Sequence, residues 1–167
     1  MQENTAVKIL KGAVLLEIRG KAFYEKVAQE SRNSAVKEFF GKMAREEENH
    51  IQTLTRQFNA YTAKKKFARQ EFSEDSAPEG GSKILTDKLK DQISAAGFEA
   101  SAIAAAMAME KDAIRYYSER ADATEDSNEK ILYQWLADWE RNHLNMLADI
   151  DKALTERFWV DNQFWPF

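Results

Sequence analysis

The stretch REEENHIQTL, residues 45–54, crowds three glutamates against one of only two histidines in the chain. Around it Phe39, Phe40, Met43, Ile51, Leu54 and Phe58 recur at the spacing of one helix face. A solvated charged face that happens to carry a histidine would explain one such stretch. The second histidine lies in DWERNHLNML, residues 138–147, and the surroundings repeat: His50 follows Glu47 by three and His143 follows Glu140 by three, each directly after an asparagine. Glutamate fills only 18 of 167 positions, so the same offset at both histidines argues against coincidence.

Working outward, residues from about Thr5 to Ser31 read as one long helix, with Val7, Leu10, Val14, Ile18, Phe23 and Val27 on its apolar stripe. Asn33 or Ser34 offers an N-cap for the helix that carries His50, and the short loop between them makes the two helices antiparallel neighbours. The stretch SEDSAPEGGS, residues 73–82, gathers Pro, Gly, Ser and acidic residues and is the clear linker. Beyond it the pattern predicts a short helix near Lys83 to Ile93, a long one from about Phe98 to Ala123, a turn at TEDSN, and a last helix from about Glu129 to Arg157. One domain over 1–167 is expected, with helical hairpins at about 5–70 and 98–157. The tail 158–167, FWVDNQFWPF, has no helical period, and its aromatic residues are too apolar to stay in water, so it should cap the bundle or enter a dimer interface.

Composition narrows the chemistry. With 44% apolar and 31% charged residues, two prolines and six glycines, the chain suits an all-α globular domain. No cysteine is present, which excludes disulfides, thiol catalysis, iron–sulfur clusters and thiolate metal sites; any metal must take oxygen and nitrogen ligands. The net charge of −4 leaves no broad footprint for nucleic acid, and Lys64, Lys65 and Lys66 form too short a basic run to make one. Nothing in the sequence predicts a membrane span or a secretory signal, so a cytoplasmic location is expected.

The sharpest feature is internal. Adding 93 to Glu17, Tyr24, Glu47, Asn49, His50 and Leu54 lands on Glu110, Tyr117, Glu140, Asn142, His143 and Leu147. Six identities at one offset mark a duplicated helical hairpin, and the types kept are functional rather than merely apolar. Glu17 and Glu47 stand about equally far from the first loop, so at about 1.5 Å per residue their carboxylates reach similar heights on adjacent helices. Glu110 and Glu140 straddle the second turn in the same way. Packed face to face, the hairpins would bring four Glu and two His to the middle of a four-helix bundle. Four carboxylates in an apolar interior cannot all remain ionised without a strong positive partner. Two divalent cations would supply it, and this donor set suits iron or manganese, with zinc able to compete.

At these residues the sequence resembles the rubrerythrin branch of the ferritin-like superfamily, whose pattern is one Glu from each of two helices and Glu-x-x-His from the other two. The resemblance extends to about residue 155 and includes LLEIRGKAFYEKVA and AMEKDAIRYYSERA, each with a Tyr seven residues after its Glu. It implies an up-down four-helix bundle with a long crossover between the second and third long helices. It further implies two iron ions, with Glu17 and Glu110 as terminal ligands, Glu47 and Glu140 as bridges, and His50 and His143 binding one iron each. Tyr24 and Tyr117 would hydrogen-bond ligand carboxylates, against the plainer reading of both as core aromatics. The implied activity is reduction of hydrogen peroxide or dioxygen; with no cysteine in the chain the electrons are expected from an external donor such as a rubredoxin or flavoprotein, and a cytoplasmic homodimer acting against oxidative stress is expected.

Two departures from the family pattern stand out. A second Glu usually follows the third-helix ligand by three, and here that residue is Ala113; and the family's cysteine-ligated rubredoxin-type iron has no ligands in this chain. The six-ligand set by itself is closer to the symmetric site of bacterioferritins. Two rival functions follow: a ferritin-like protein that oxidises Fe(II) for storage or detoxification, and a non-catalytic helical module with a structural metal. The run ASAIAAAMAM, residues 100–109, could open a way to the metals, though high helix propensity explains it as well. Met43, Met107, Met109 and Met146 read as core filler.

Overall fold

The computed structural model describes residues 5–69, 81–94 and 97–161. Five helices appear in the order α1 (Thr5–Glu30), α2 (Ser34–Lys64), α3 (Gly81–Gln92), α4 (Phe98–Ala123) and α5 (Ser127–Asp161), and no strand occurs among the described residues. None of these helices is long and apolar enough to cross a membrane.

Local chemistry sets the helix ends. Asn33, with extended backbone, accepts from the amides of Ala35 and Val36 through its side chain, so the N-cap of α2 is Asn33 rather than Ser34. Lys65 closes α2 in the left-handed region, φ 55°, and donates its amide to the Tyr61 carbonyl. The Gln57 side chain then clasps the departing chain, donating to the Ala68 carbonyl at 3.0 Å and accepting from its amide at 2.9 Å. At the second turn, the Asp126 carboxylate accepts from the amides of Asn128 and Glu129 and starts α5.

α1 packs along α2, and α4 along α5; α3 lies in the crossover and packs on α5 and α2. Cross-hairpin pairs give the directions. Tyr24 meets Glu110 while Tyr117 meets Glu17, so α1 and α4 run antiparallel; Glu46 meets His143 while His50 meets Trp139, so α2 and α5 do too. The long crossover is what lets α4 run in the direction of α2. Buried apolar residues fall into two clusters, one around Phe39, Phe40, Met43, Ile103 and Leu147, the other around Leu10, Leu54, Tyr117, Leu132 and Leu136. The glutamates and histidines occupy the layer between them.

Two expectations change. α5 runs on to Asp161, so residues 158–161 of the supposed irregular tail are helical, there being no Pro or Gly before Pro166 to stop them. Phe158 and Trp159 stack edge to face and remain 40% and 46% exposed, so this part of the tail does not cap the bundle of the single chain. The linker expected at 73–82 and the tail beyond 161 lie largely outside the described residues, except that Gly81 and Ser82 already belong to α3.

Candidate metal centre

Glu17 on α1, Glu47 and His50 on α2, Glu110 on α4, and Glu140 and His143 on α5 are all at most 3% exposed and meet in one place. Their contacts converge on the Nδ1 atoms. His50 Nδ1 lies 3.2 Å from Glu17, 3.4 Å from Glu47 and 3.2 Å from Glu140. His143 Nδ1 lies 3.1 Å from Glu140 and 3.4 Å from both Glu47 and Glu110. Each i, i+3 pair spans a single helical turn, which is why the spacing in the sequence brings Glu and His to one face.

Two groups of potential ligands result, each with donor atoms within 4.8 Å of one another: Glu17, Glu47, His50 and Glu140, and Glu47, Glu110, Glu140 and His143. Glu47 and Glu140 belong to both, the arrangement a carboxylate-bridged pair of ions needs. Glu140 Oε1 is buried with no partner in hydrogen-bond geometry, His50 Nδ1 standing 3.2 Å away, so it is an acceptor a cation could take. Oxygen-rich, thiolate-free and anionic when deprotonated, the set fits two divalent transition-metal ions.

Protons do the neutralising when no metal is bound. Burial, then the charges of Glu140 and Glu47, raises the Glu17 carboxyl well above its ordinary range, and burial with the Glu140 charge pushes Glu110 up to about 8. Burial opposes ionisation of Glu47 as well, but hydrogen bonds from Glu17, His143 and His50 outweigh it and hold Glu47 low. Glu140 is likewise low, burial and the Glu47 charge being outweighed by the two imidazoles. Both histidines are raised, since the surrounding carboxylates overcome the desolvation that would discharge them. The raised Glu17 and Glu110 carboxyls keep their protons to higher pH than free carboxyls do, while the lowered Glu47 and Glu140 carboxylates are balanced by the raised imidazoles.

The tyrosines reach across the hairpins. Tyr24 donates to Glu110 and Tyr117 donates to Glu17, so each phenol holds the carboxylate of the other repeat, and the two bonds are related by the 93-residue offset. Tyr117 also stacks on Tyr133 at 6.0 Å.

Sequence reasoning did not pick out Glu46. Its Oε2 accepts from His143 Nε2 at 2.9 Å, on the ring edge opposite the ligand cluster, while Lys42 approaches its other oxygen at 3.8 Å. The repeat makes this one-sided: 93 residues on from Lys42 and Glu46 stand Trp135 and Trp139, whose rings meet His50 edge-on at 5.4 and 5.6 Å. One histidine is thus backed by a carboxylate and the other by two indoles. Adding 93 to position 46 was the available signal, but it returns a tryptophan, so a search for identities passes over it.

A cleft of about 430 Å³ between α1 and α4 opens onto Glu47, Glu110 and Glu140. Met109 lines it and is only half-buried, so it is not the core filler its sequence context suggested; Met43 is. Ala113, where the family's extra Glu would stand, is buried beside the same cleft.

A helical bundle with paired Glu-x-x-His helices and a shared-carboxylate ligand cluster defines a ferritin-like di-iron class of protein. Within that class the profile of the family described as Rubrerythrin matches residues 8–151, and the chain belongs to that family. No curated protein and no solved structure gives a significant match.

Proposed function

We propose that the protein is a di-iron peroxidase of the rubrerythrin type, reducing hydrogen peroxide, and more slowly dioxygen, with electrons from a separate donor. The observation that carries this reading is the pair of ligand groups sharing Glu47 and Glu140 at the end of an open cleft. When bound, the two ferrous ions supply the two electrons that, with two protons, convert peroxide to two waters. The chain does the rest. Glu47 and Glu140 would bridge the ions, with Glu17 and His50 on one side and Glu110 and His143 on the other. Tyr24 and Tyr117 fix the Glu110 and Glu17 carboxylates by donating to them, which limits their swing as charge changes. Glu46 keeps the proton on His143 Nε2 and so leaves Nδ1 free to ligate. The two apolar clusters above and below shield the ligand layer from bulk water, and the cleft reaches it from between α1 and α4.

Without cysteine the chain carries neither a rubredoxin-type iron nor a redox disulfide, so the donor is a rubredoxin, a flavoprotein or another external reductant. A cytoplasmic homodimer acting in oxidative-stress defence is the setting we propose, with zinc or manganese able to occupy the same ligands. The test is metal analysis after purification without chelator, followed by stopped-flow mixing of the Fe(II) protein with peroxide and with oxygen. We expect about two irons per chain, one round of oxidation faster with peroxide, then arrest until rubredoxin and its reductase are added. Continued oxidation of free Fe(II) with accumulating mineral would replace this reading with iron storage. Inertness to both oxidants would leave a structural metal site.

A further inference from the structure

The cleft is far larger than the substrate just proposed. A peroxide molecule needs little more room than a water, whose share of liquid volume is about 30 Å³. The cleft offers about 430 Å³, counting the space beside Glu47, Glu110 and Glu140 that bound ions would share, within the range of pockets that take small organic ligands. Its chemistry is divided. The buried Glu47, Glu110 and Glu140 stand at the inner end; Leu16, Met109 and Ala113 form apolar walls; the exposed Leu15, Arg19 and Asp112 line it toward solvent. Small residues line it: Gly20, where an added Cβ would sit in ordinary contact 3.5 Å from Glu47 Cδ, and Ala113. A polar end beside the ligand carboxylates and an apolar body running along the wall describe an amphipathic molecule.

We propose that the cleft holds the organic group of an alkyl or aryl hydroperoxide and that such hydroperoxides are substrates of the same centre, an inference that rests on the peroxidase reading above. The O–O bond breaks; one oxygen stays on carbon and leaves as the alcohol, and the other leaves as water. The reaction consumes two protons from solvent and two electrons from the ferrous pair, each ion becoming ferric and being reduced again by the same external donor. Apolar walls favour this class over hydrogen peroxide alone, because hydrocarbon moved from water against Leu15, Leu16 and Met109 adds binding that a bare peroxide lacks.

The test has a binding arm and a kinetic arm. In the first, metal-free protein is titrated by calorimetry with 2-phenyl-2-propanol, the redox-inert alcohol left by cumene hydroperoxide. Saturable binding is expected, weakened about tenfold or more by Met109→Trp, which fills the half-buried wall. Leu15→Trp, at a position 46% exposed and therefore tolerant of size, is the second variant should Met109→Trp not fold. In the second arm, the Fe(II) protein is mixed with cumene hydroperoxide and with hydrogen peroxide, and the ratio of the two oxidation rates should fall about tenfold in either folded variant. Absence of alcohol binding, or binding that neither tryptophan weakens, would overturn the proposal. So would oxidation by hydrogen peroxide but not by cumene hydroperoxide, with the peroxidase reading intact. If neither peroxide oxidised the iron while the alcohol still bound, the peroxidase reading would fall and take the substrate with it.

Discussion

Truncating Glu46 to Ala removes the acceptor from His143 Nε2 and leaves the six ligand residues themselves in place. Loss of such an outer carboxylate costs about 10–100-fold in metal affinity. Because Trp139 holds the corresponding place beside His50, the loss should fall on one ion only. Titration of Glu46→Ala with Co(II), followed by its absorption, should resolve one site near wild-type affinity and one weakened; equal weakening of both would remove the asymmetry. Glu46→Gln keeps an acceptor and should lie between. The contrast also shows what the sequence could and could not disclose about the site. Glu47, His50, Glu140 and His143 were legible because ligand type and i, i+3 spacing are properties of the chain alone. Glu46, Trp135 and Trp139 were not, since their roles arise only from how one hairpin is set against the other.

Protonation belongs to the same scale and gives a pH dependence. Without metal, Glu110 is raised from an ordinary 4.5 to about 8, Glu17 is raised in the same sense, and both histidines are raised above 6.5. A group raised on folding contributes most below its unfolded value and loses that contribution as pH rises toward its folded one. Metal-free protein should therefore lose thermal stability between about pH 5 and pH 8. Metal binding must expel these protons, so apparent affinity should rise over the same interval. The gap in melting temperature between loaded and metal-free protein should widen with pH, and calorimetry at pH 7 in buffers of different ionisation enthalpy should record proton release. A gap that narrowed with pH would place the shifts on the wrong groups.

At the scale of the helix, Asn33→Ala removes the side-chain acceptor for two amides at the start of α2, the helix that carries Glu46, Glu47 and His50. The cost should be about 1 kcal/mol, or about 2–4 °C in the melting temperature of metal-free protein. No change would mean that the cap is replaced by water or by Ser31, whose Oγ already accepts from the Asn33 amide. Element positions were readable because apolar spacing and capping residues act locally: a cap at Asn33 or Ser34, the start of α4 near Phe98 and its end near Ala123 follow from the sequence, and the structure decides for Asn33. The end of α5 was not, because aromatic residues tolerate a helix without demanding one, and nothing between Arg157 and Asp161 breaks the hydrogen-bond ladder. The partners of the tyrosines were hidden for another reason. Seven residues place Tyr24 two turns from Glu17 on its own helix, but only the antiparallel setting of α1 and α4 delivers its hydroxyl to Glu110.

At the scale of the molecule, both ligand groups draw on both hairpins: Glu140 completes the group around His50, and Glu47 the group around His143. The ions should therefore act as ties between halves whose first and fourth helices enclose an open cleft. Glu47→Ala, which removes a ligand from both groups, should lower binding below two ions per chain and abolish most of the thermal stabilisation by metal. Wild-type stoichiometry in that variant would sink the assignment.

The mismatch between positions 46 and 139 also says something about history. Two identical hairpins pairing as separate chains must place the same residue on both sides of their axis, because one codon writes both. A carboxylate behind one histidine and an indole behind the other needs two copies free to mutate apart, which a single chain carrying both repeats allows. Carrying both copies in one polypeptide thus does more than secure the pairing: the second need not be a replica of the first, so two ligand groups built from the same two residue types, glutamate and histidine, can have separately adjustable surroundings.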